Sequence, residues 1–125
     1  MSQDRYELLH TALEYAQRLN QGTIQASQYY RDGQFAKAHE YVAMITDGLE
    51  WLVNAVALTQ DLLTQEVDVT VVNDLIAEYI EAVENDDIVL MADLLEYEIA
   101  ETIQGWCEVL EETVQKNIGT QTNEA

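Results

Sequence analysis

The chain has 125 residues, 48% of them hydrophobic, which suits one domain with a real core and is too apolar for a disordered acidic tract. It has no proline and only five glycines, a poverty of turn residues that disfavours a sheet protein and favours a few long helices. Five basic against 24 acidic residues give a formal charge of −19, which argues against nucleic acid or an anionic membrane surface as a partner.

The first predicted helix runs from about Gln3 to Tyr30. Tyr6, Leu9, Leu13, Ala16, Leu19, Thr23 and Tyr30 recur at the helical period, with Gly22 as a weak point inside the run. Asp32-Gly33 then reads as a helix-hairpin tip, where glycine takes positive φ and aspartate accepts backbone N–H bonds at the start of the next helix. The second predicted helix runs from about Gln34 to Gln65. Phe35, Ala38, Val42, Ile45, Leu49, Leu52, Val56 and Leu63 form its main stripe, and Met44, Trp51, Ala55, Leu58 and Leu62 form a second. Only Asp47, Glu50, Asn54 and Asp61 mark a wet face. A helix apolar around most of its girth is central or touches something besides its own core.

The third predicted helix, about Val69 to Glu84, sets Val72, Leu75, Ile76, Tyr79, Ile80 and Val83 against Asp74, Glu78, Glu81 and Glu84. Residues 68–70 (Asp-Val-Thr) supply side-chain acceptors for its start. Asn85-Asp86 is a second tip. The fourth predicted helix, about Asp87 to Asn117, has the stripe Ile88, Met91, Leu95, Ile99, Ile103, Trp106, Leu110 and Val114. Gly119 is its expected stop, which makes residues 1–118 one domain and residues 119–125 a flexible polar tail.

The expected fold is therefore all-α: an antiparallel four-helix bundle built from two helical hairpins. A thirty-residue helix spans roughly 45 Å, and such rods pack most simply side by side. The third helix is the short one and is expected to leave part of a groove uncovered. Shifting the second half back by 54 residues lays Ala92, Leu95, Ile99, Ile103, Trp106 and Leu110 on Ala38, Tyr41, Ile45, Leu49, Leu52 and Val56, a weak internal repeat. The phrase YYRDGQFAKA resembles the helix-turn-helix of a tetratricopeptide repeat, but no second copy follows at a period of about 34 residues, so a solenoid is not expected.

Catalytic chemistry finds little support. Glu7 and His10 match the Glu-x-x-His spacing of di-iron bundles once, and both lie off the apolar stripe; His39 has Ala36 where the second motif needs its glutamate. Cys107 sits beside Trp106 at a near-core position with no motif framing it, and reads as a buried inert thiol. The five glycines are scattered, and none forms a phosphate loop. Clustered carboxylates suit one enzymatic alternative, a magnesium-dependent all-helical nucleotide pyrophosphatase using Glu96, Glu98 and Glu101. Of these Glu96 projects at the edge of the core face, where a carboxylate is half-buried or pairs with a neighbour. No catalytic, cofactor or metal residue is assigned.

The lone cysteine excludes an internal disulfide, no leader-like segment opens the sequence, and apolar runs such as Leu52–Leu58 fall short of the ~20 residues of a membrane span, so a cytoplasmic protein with no membrane partner is expected. What remains is surface. Met44, Trp51, Leu58 and Leu62 on the second helix, with Leu90, Leu94 and Tyr97 on the fourth, are the candidate protein-binding residues.

Residues 73–106, NDLIAEYIEAVENDDIVLMADLLEYEIAETIQGW, resemble the distal half of the flagellin secretion chaperones: a helix, an Asn/Asp turn, then a long helix whose leucines lead to a tryptophan, here Trp106. Residues 24–52 are similar to that family's earlier helix pair, whereas its N-terminal segment, which helps occupy the client groove, has no counterpart. The resemblance implies a helical bundle that wraps a disordered secretion client. The leading expectation is accordingly a non-enzymatic, chaperone-like protein that captures a helical or disordered client in an apolar groove. The alternatives are the pyrophosphatase-like enzyme and a homodimeric structural protein.

Overall fold

A computed structural model describes the backbone of residues 2–124 and the side chains of residues 4–117. Among the described residues the chain is helical, with no strand, and four helices follow one another. They are α1 (Ser2–Arg31), α2 (Phe35–Leu58), α3 (Val71–Glu84) and α4, a continuous rod made of Ile88–Asp93, a π-helical turn Leu94–Ile99, and Ala100–Glu124. α4 passes through Gly119, so that glycine is not its stop; the expected tail at 119–125 lies outside the residues whose side chains are described.

Both tips use one backbone device. Gly33 has φ +78, its N–H donates to the Tyr30 carbonyl (3.1 Å), and the Gln34 N–H reaches back to Tyr29 (2.8 Å). Asp86 has φ +53, its N–H donates to Val83 (3.1 Å), and the Asp87 N–H reaches back to Ala82 (2.9 Å). This is the Schellman closure, with a left-handed residue just past the helix. The Asp32 cap expected for α2 is not made. The Asp32 N–H still bonds the Gln28 carbonyl, so this residue closes α1, and Gln34 precedes α2 without a side-chain cap. At the second tip a cap does form, with the Asp87 carboxylate accepting from the Leu90 N–H at 3.1 Å.

α2 is shorter than its periodicity suggests. The Thr59 hydroxyl donates to the Ala55 carbonyl at 2.8 Å, and a 3₁₀ turn, Gln60–Leu62, replaces the last predicted turns. Leu62 is therefore off the helix and half-buried. The connection to α3 is closed by its own polar groups. The Gln60 side-chain amide bonds both the carbonyl and the N–H of Val67, and the Asp68 carboxylate accepts from the Thr70 N–H and hydroxyl, so α3 begins at Val71. Arg5 pairs with Asp61, holds that carboxyl below its usual range, and donates to the Leu58 carbonyl at 3.2 Å. The Thr64 N–H donates to the buried Thr113 hydroxyl at 3.1 Å, which fastens the connection to α4.

α1 packs on both α2 and α4, and α3 packs on the first half of α4. Contacts run in opposite directions along the α1/α2 and α1/α4 pairs: Tyr15 meets Trp51 while Tyr29 meets Tyr41, and Asn20 meets Gln104 while Arg31 meets Asp93. Leu9, Leu52, Leu95, Ile103 and Leu110 are each at most 1% exposed. Burying one such side chain is worth about 1.5–3 kcal/mol. Gly48 lets α1 come close, since a Cβ there would collide with the Tyr15 hydroxyl and lie 2.9 Å from Leu19 Cδ1.

The π turn has a geometric cause. At roughly 100° per residue, the buried positions Met91, Ala92, Leu94 and Leu95 centre about 90° away from those from Ile99 to Val114. One extra residue in a wider turn removes that difference and keeps a single face on the core. The helix starts Phe35 and Ile88 are 53 apart, whereas the buried threonines Thr59 and Thr113 are 54 apart, each donating to a carbonyl four residues back at 2.8 Å.

α2 is long and apolar enough, by length and composition alone, to cross a membrane, which corrects the expectation that no segment reaches that length. In the folded chain Leu49, Leu52, Ala55 and Val56 are instead buried in the core.

Candidate functional site

The seven residues singled out from sequence do not form one patch. Met44, Trp51 and Leu58 stand on the outer face of α2, 58%, 39% and 68% exposed. Met44 lines a shallow cleft of about 320 Å³ between α1 and α2, and Trp51 a neighbouring one of about 340 Å³. Trp51 meets the Tyr15 ring edge-on at 5.1 Å, and the Arg18 guanidinium lies 5.9 Å from the same ring. Part of this second stripe is thus covered by α1, and Met44 and Leu58 project beyond it.

On α4, Leu90 and Tyr97 are exposed, and Leu94 is not: it is 4% exposed, a core residue. The π turn starts at Leu94 and turns Leu94 and Leu95 inward together, which a uniform α-helical wheel does not allow for. Tyr97 lies under Arg31, whose guanidinium is 5.9 Å from the ring, 2.9 Å from Asp93 and 3.6 Å from Glu96. Glu96 therefore faces a cation at the end of α1.

A different feature is the groove between α2 and α3. These helices lack the close backbone contact that α1 makes with α2 and α3 makes with α4. Two clefts follow one another along the gap. One of about 190 Å³ has Ile45, Leu49, Leu95 and Ile99 as its floor, with Val42, Ile76 and Ile80 as walls. The next, about 280 Å³, continues past Val53 and Val72 to Glu50, Asn54 and Asn73. Ile80, at the mouth, is 51% exposed, although the floor beneath is sealed core. Sequence reasoning placed Val42, Ile45, Leu49, Val72, Ile76, Ile80, Leu95 and Ile99 in the main stripes of their helices, put Glu50 and Asn54 on the wet face of α2 and did not single out Val53; the shortness of the third helix was the signal that part of the stripe stays open.

Tyr79 closes one end of the groove. Its hydroxyl is 2.5 Å from that of Tyr30, which is 2.8 Å from Nδ1 of His39 on the surface of α2. Burial pushes both tyrosines above their usual range, so both stay neutral donors. Burial, helped by Glu111 and Glu108, raises the Cys107 thiol to about 11, which leaves a protonated, unreactive group at neutral pH. Among the described residues no three His, Cys, Asp or Glu side chains are placed to share a metal ion. Glu7 and His10 are exposed on α1, as are Glu98 and Glu101 on α4.

Comparison with known proteins adds a family. The domain of unknown function DUF8042 matches residues 7–109. The chain belongs to the DUF8042 family. That match takes in both hairpin tips, the α2/α3 groove and the π turn. No curated protein and no solved structure matches the chain.

Proposed function

We propose that this DUF8042 chain is a non-enzymatic protein-binding domain: an antiparallel four-helix bundle that takes an apolar segment of another protein into the groove between α2 and α3. The observation that carries this reading is Ile80, half in water above a floor of fully buried Leu95 and Ile99. Bundles seal such seams with side chains from both helices; here the seam is apolar and open, as in grooves that receive a helix. A chaperone-like role in the cytoplasm, similar to that of the flagellin secretion chaperones, is the more specific form of the proposal. Supporting it are the helix–turn–helix of residues 73–106, with Trp106 at its end, and a surface charge that repels nucleic acid and anionic lipid.

The pyrophosphatase-like alternative needs Glu96, Glu98 and Glu101 to converge on an ion; Glu96 instead faces Arg31, and the other two point to solvent. Capture from a native lysate tests the proposal with three baits: wild type, Ile80→Glu and Met44→Glu. Partners are expected on wild type and Met44→Glu and lost from Ile80→Glu. Loss from Met44→Glu alone moves the site to the outer face of α2. Heat on calorimetric titration with magnesium and nucleoside triphosphates overturns the non-enzymatic reading.

A further inference from the structure

We infer that the occupant of the α2/α3 groove is a cationic amphipathic helix of about three turns, an inference that rests on the binding reading above. Length comes first. The open seam follows α2 from Val42 to Val53, which at 1.5 Å per residue is roughly 17 Å, three helical turns. Val42 and Ile80 flank one end, Leu49 and Ile76 the middle, Val53 and Val72 the other. A helix with apolar residues at i, i+4 and i+7 meets these three stations in turn.

Charge comes second. Among the described residues Glu50 is the one charged side chain lining the seam, and no lysine or arginine lines it. Glu50 is exposed at the α2 rim of the seam, whereas Asp47 lines the cleft toward α1 and Asp74, Glu78 and Glu81 are exposed on the face of α3 turned away from Val72, Ile76 and Ile80, where they add to the long-range negative field of the chain. The cations nearest in sequence are engaged elsewhere: Arg31 with Asp93, and Lys37 over the Tyr29 ring at 5.5 Å. An apolar slot with one carboxylate at its rim, on a chain of formal charge −19, attracts a segment whose polar face is lysine and arginine and repels one whose polar face is acidic. A second copy of this chain, itself at −19, is on the repelled side.

The probes are two labelled amphipathic peptides with the same leucine face, one Leu/Lys and one Leu/Glu, titrated with the full chain and followed by fluorescence anisotropy. The Leu/Lys peptide is expected to bind, more weakly as salt rises, and the Leu/Glu peptide at least about tenfold more weakly. Ile80→Glu is the deciding variant. It adds negative charge, so a peptide held by charge alone binds it as well as or better than wild type, whereas a helix seated in the groove loses roughly tenfold or more. Val53→Glu repeats the test at the other end. Undiminished Leu/Lys binding to both variants overturns the inference. Equal binding of the two peptides overturns the cationic preference and leaves the groove reading standing; binding of neither overturns the groove reading itself. A concentration-dependent dimer of the chain alone, abolished by Ile80→Glu, seats a second copy in the groove and overturns the inference.

Discussion

Replacing Tyr30 by phenylalanine removes the middle link of the chain Tyr79–Tyr30–His39. Tyr30 is 2% exposed and Tyr79 8%, and their hydroxyls are 2.5 Å apart. In Tyr30→Phe the Tyr79 hydroxyl stays buried with its partner gone, while exposed His39 turns to water. An orphaned buried hydroxyl costs about 1–3 kcal/mol. In Tyr79→Phe the Tyr30 hydroxyl keeps His39 at 2.8 Å, so the loss is the net value of one hydrogen bond, about 0.5–1.5 kcal/mol. The double variant leaves neither hydroxyl to orphan, and its cost falls below that of Tyr30→Phe. Urea unfolding of the four proteins, followed by far-UV circular dichroism and compared at constant m, measures the cycle. A Tyr79→Phe loss equal to or larger than that of Tyr30→Phe, or a double variant at the sum of the singles, refutes the reasoning.

Alkali tests burial through a second set of groups. Cys107 rises from 9.0 to about 11, so its contribution is whole below pH 9.0 and is lost as pH rises through 11; the tyrosines add their loss above 10.0. Stability is expected to be flat up to about pH 9.0 and to fall beyond it, with Cys107→Ala moving the onset toward pH 10.0 in urea titrations at stepped pH. Native Cys107 is also expected to react with a thiol reagent at pH 8 roughly a hundredfold more slowly than the unfolded chain, from the loss of thiolate alone. Deleting Tyr97 turns the π segment into a plain α-helix with both buried stretches still facing the core, so the variant is expected to unfold cooperatively; deleting Glu108 rotates part of the core by about 100° and is expected to abolish cooperative melting in calorimetry. Gly33→Ala, at φ +78, is expected to cost about 1 kcal/mol, and Asp86→Gly, at φ +53, to gain about 0.5–1 kcal/mol, read from denaturation midpoints.

Much of the fold was legible because its signals are local. The two tips were marked by Asp32-Gly33 and Asn85-Asp86, where a left-handed residue is needed and one turn dipeptide supplies a glycine. The over-wide apolar girth of α2 was equally visible, and part of that girth faces α1 and part the open groove. The misses needed information that a uniform period hides. Leu94 looked like a side patch because the fourth helix was read as α throughout. Met91, Leu95, Ile99 and Ile103 follow one another at four-residue steps, which a 3.6-residue turn cannot hold on one face for long, and that drift was the available sign of a wider turn. Leu62 was assigned to a helix that stops at Leu58, because Thr59 and the polar groups of Gln60 and Asp68 favour a closed connection over another turn. The groove depended on how closely α2 and α3 approach, a tertiary distance for which the short third helix was the one hint.

The two hairpin tips share one closure, and the buried threonines that end α2 and brace the end of the core repeat across the halves. A polypeptide of half this length, holding a single such hairpin, encloses a comparable interior only by pairing with a copy of itself. Joining the copies end to end turns that pairing into an intramolecular event at an effective concentration on the order of millimolar. The segment from Thr59 to Thr70, closed on itself through Gln60 and Asp68, is then a short tether between the two hairpins, and their pairing does not depend on how abundant the chain is.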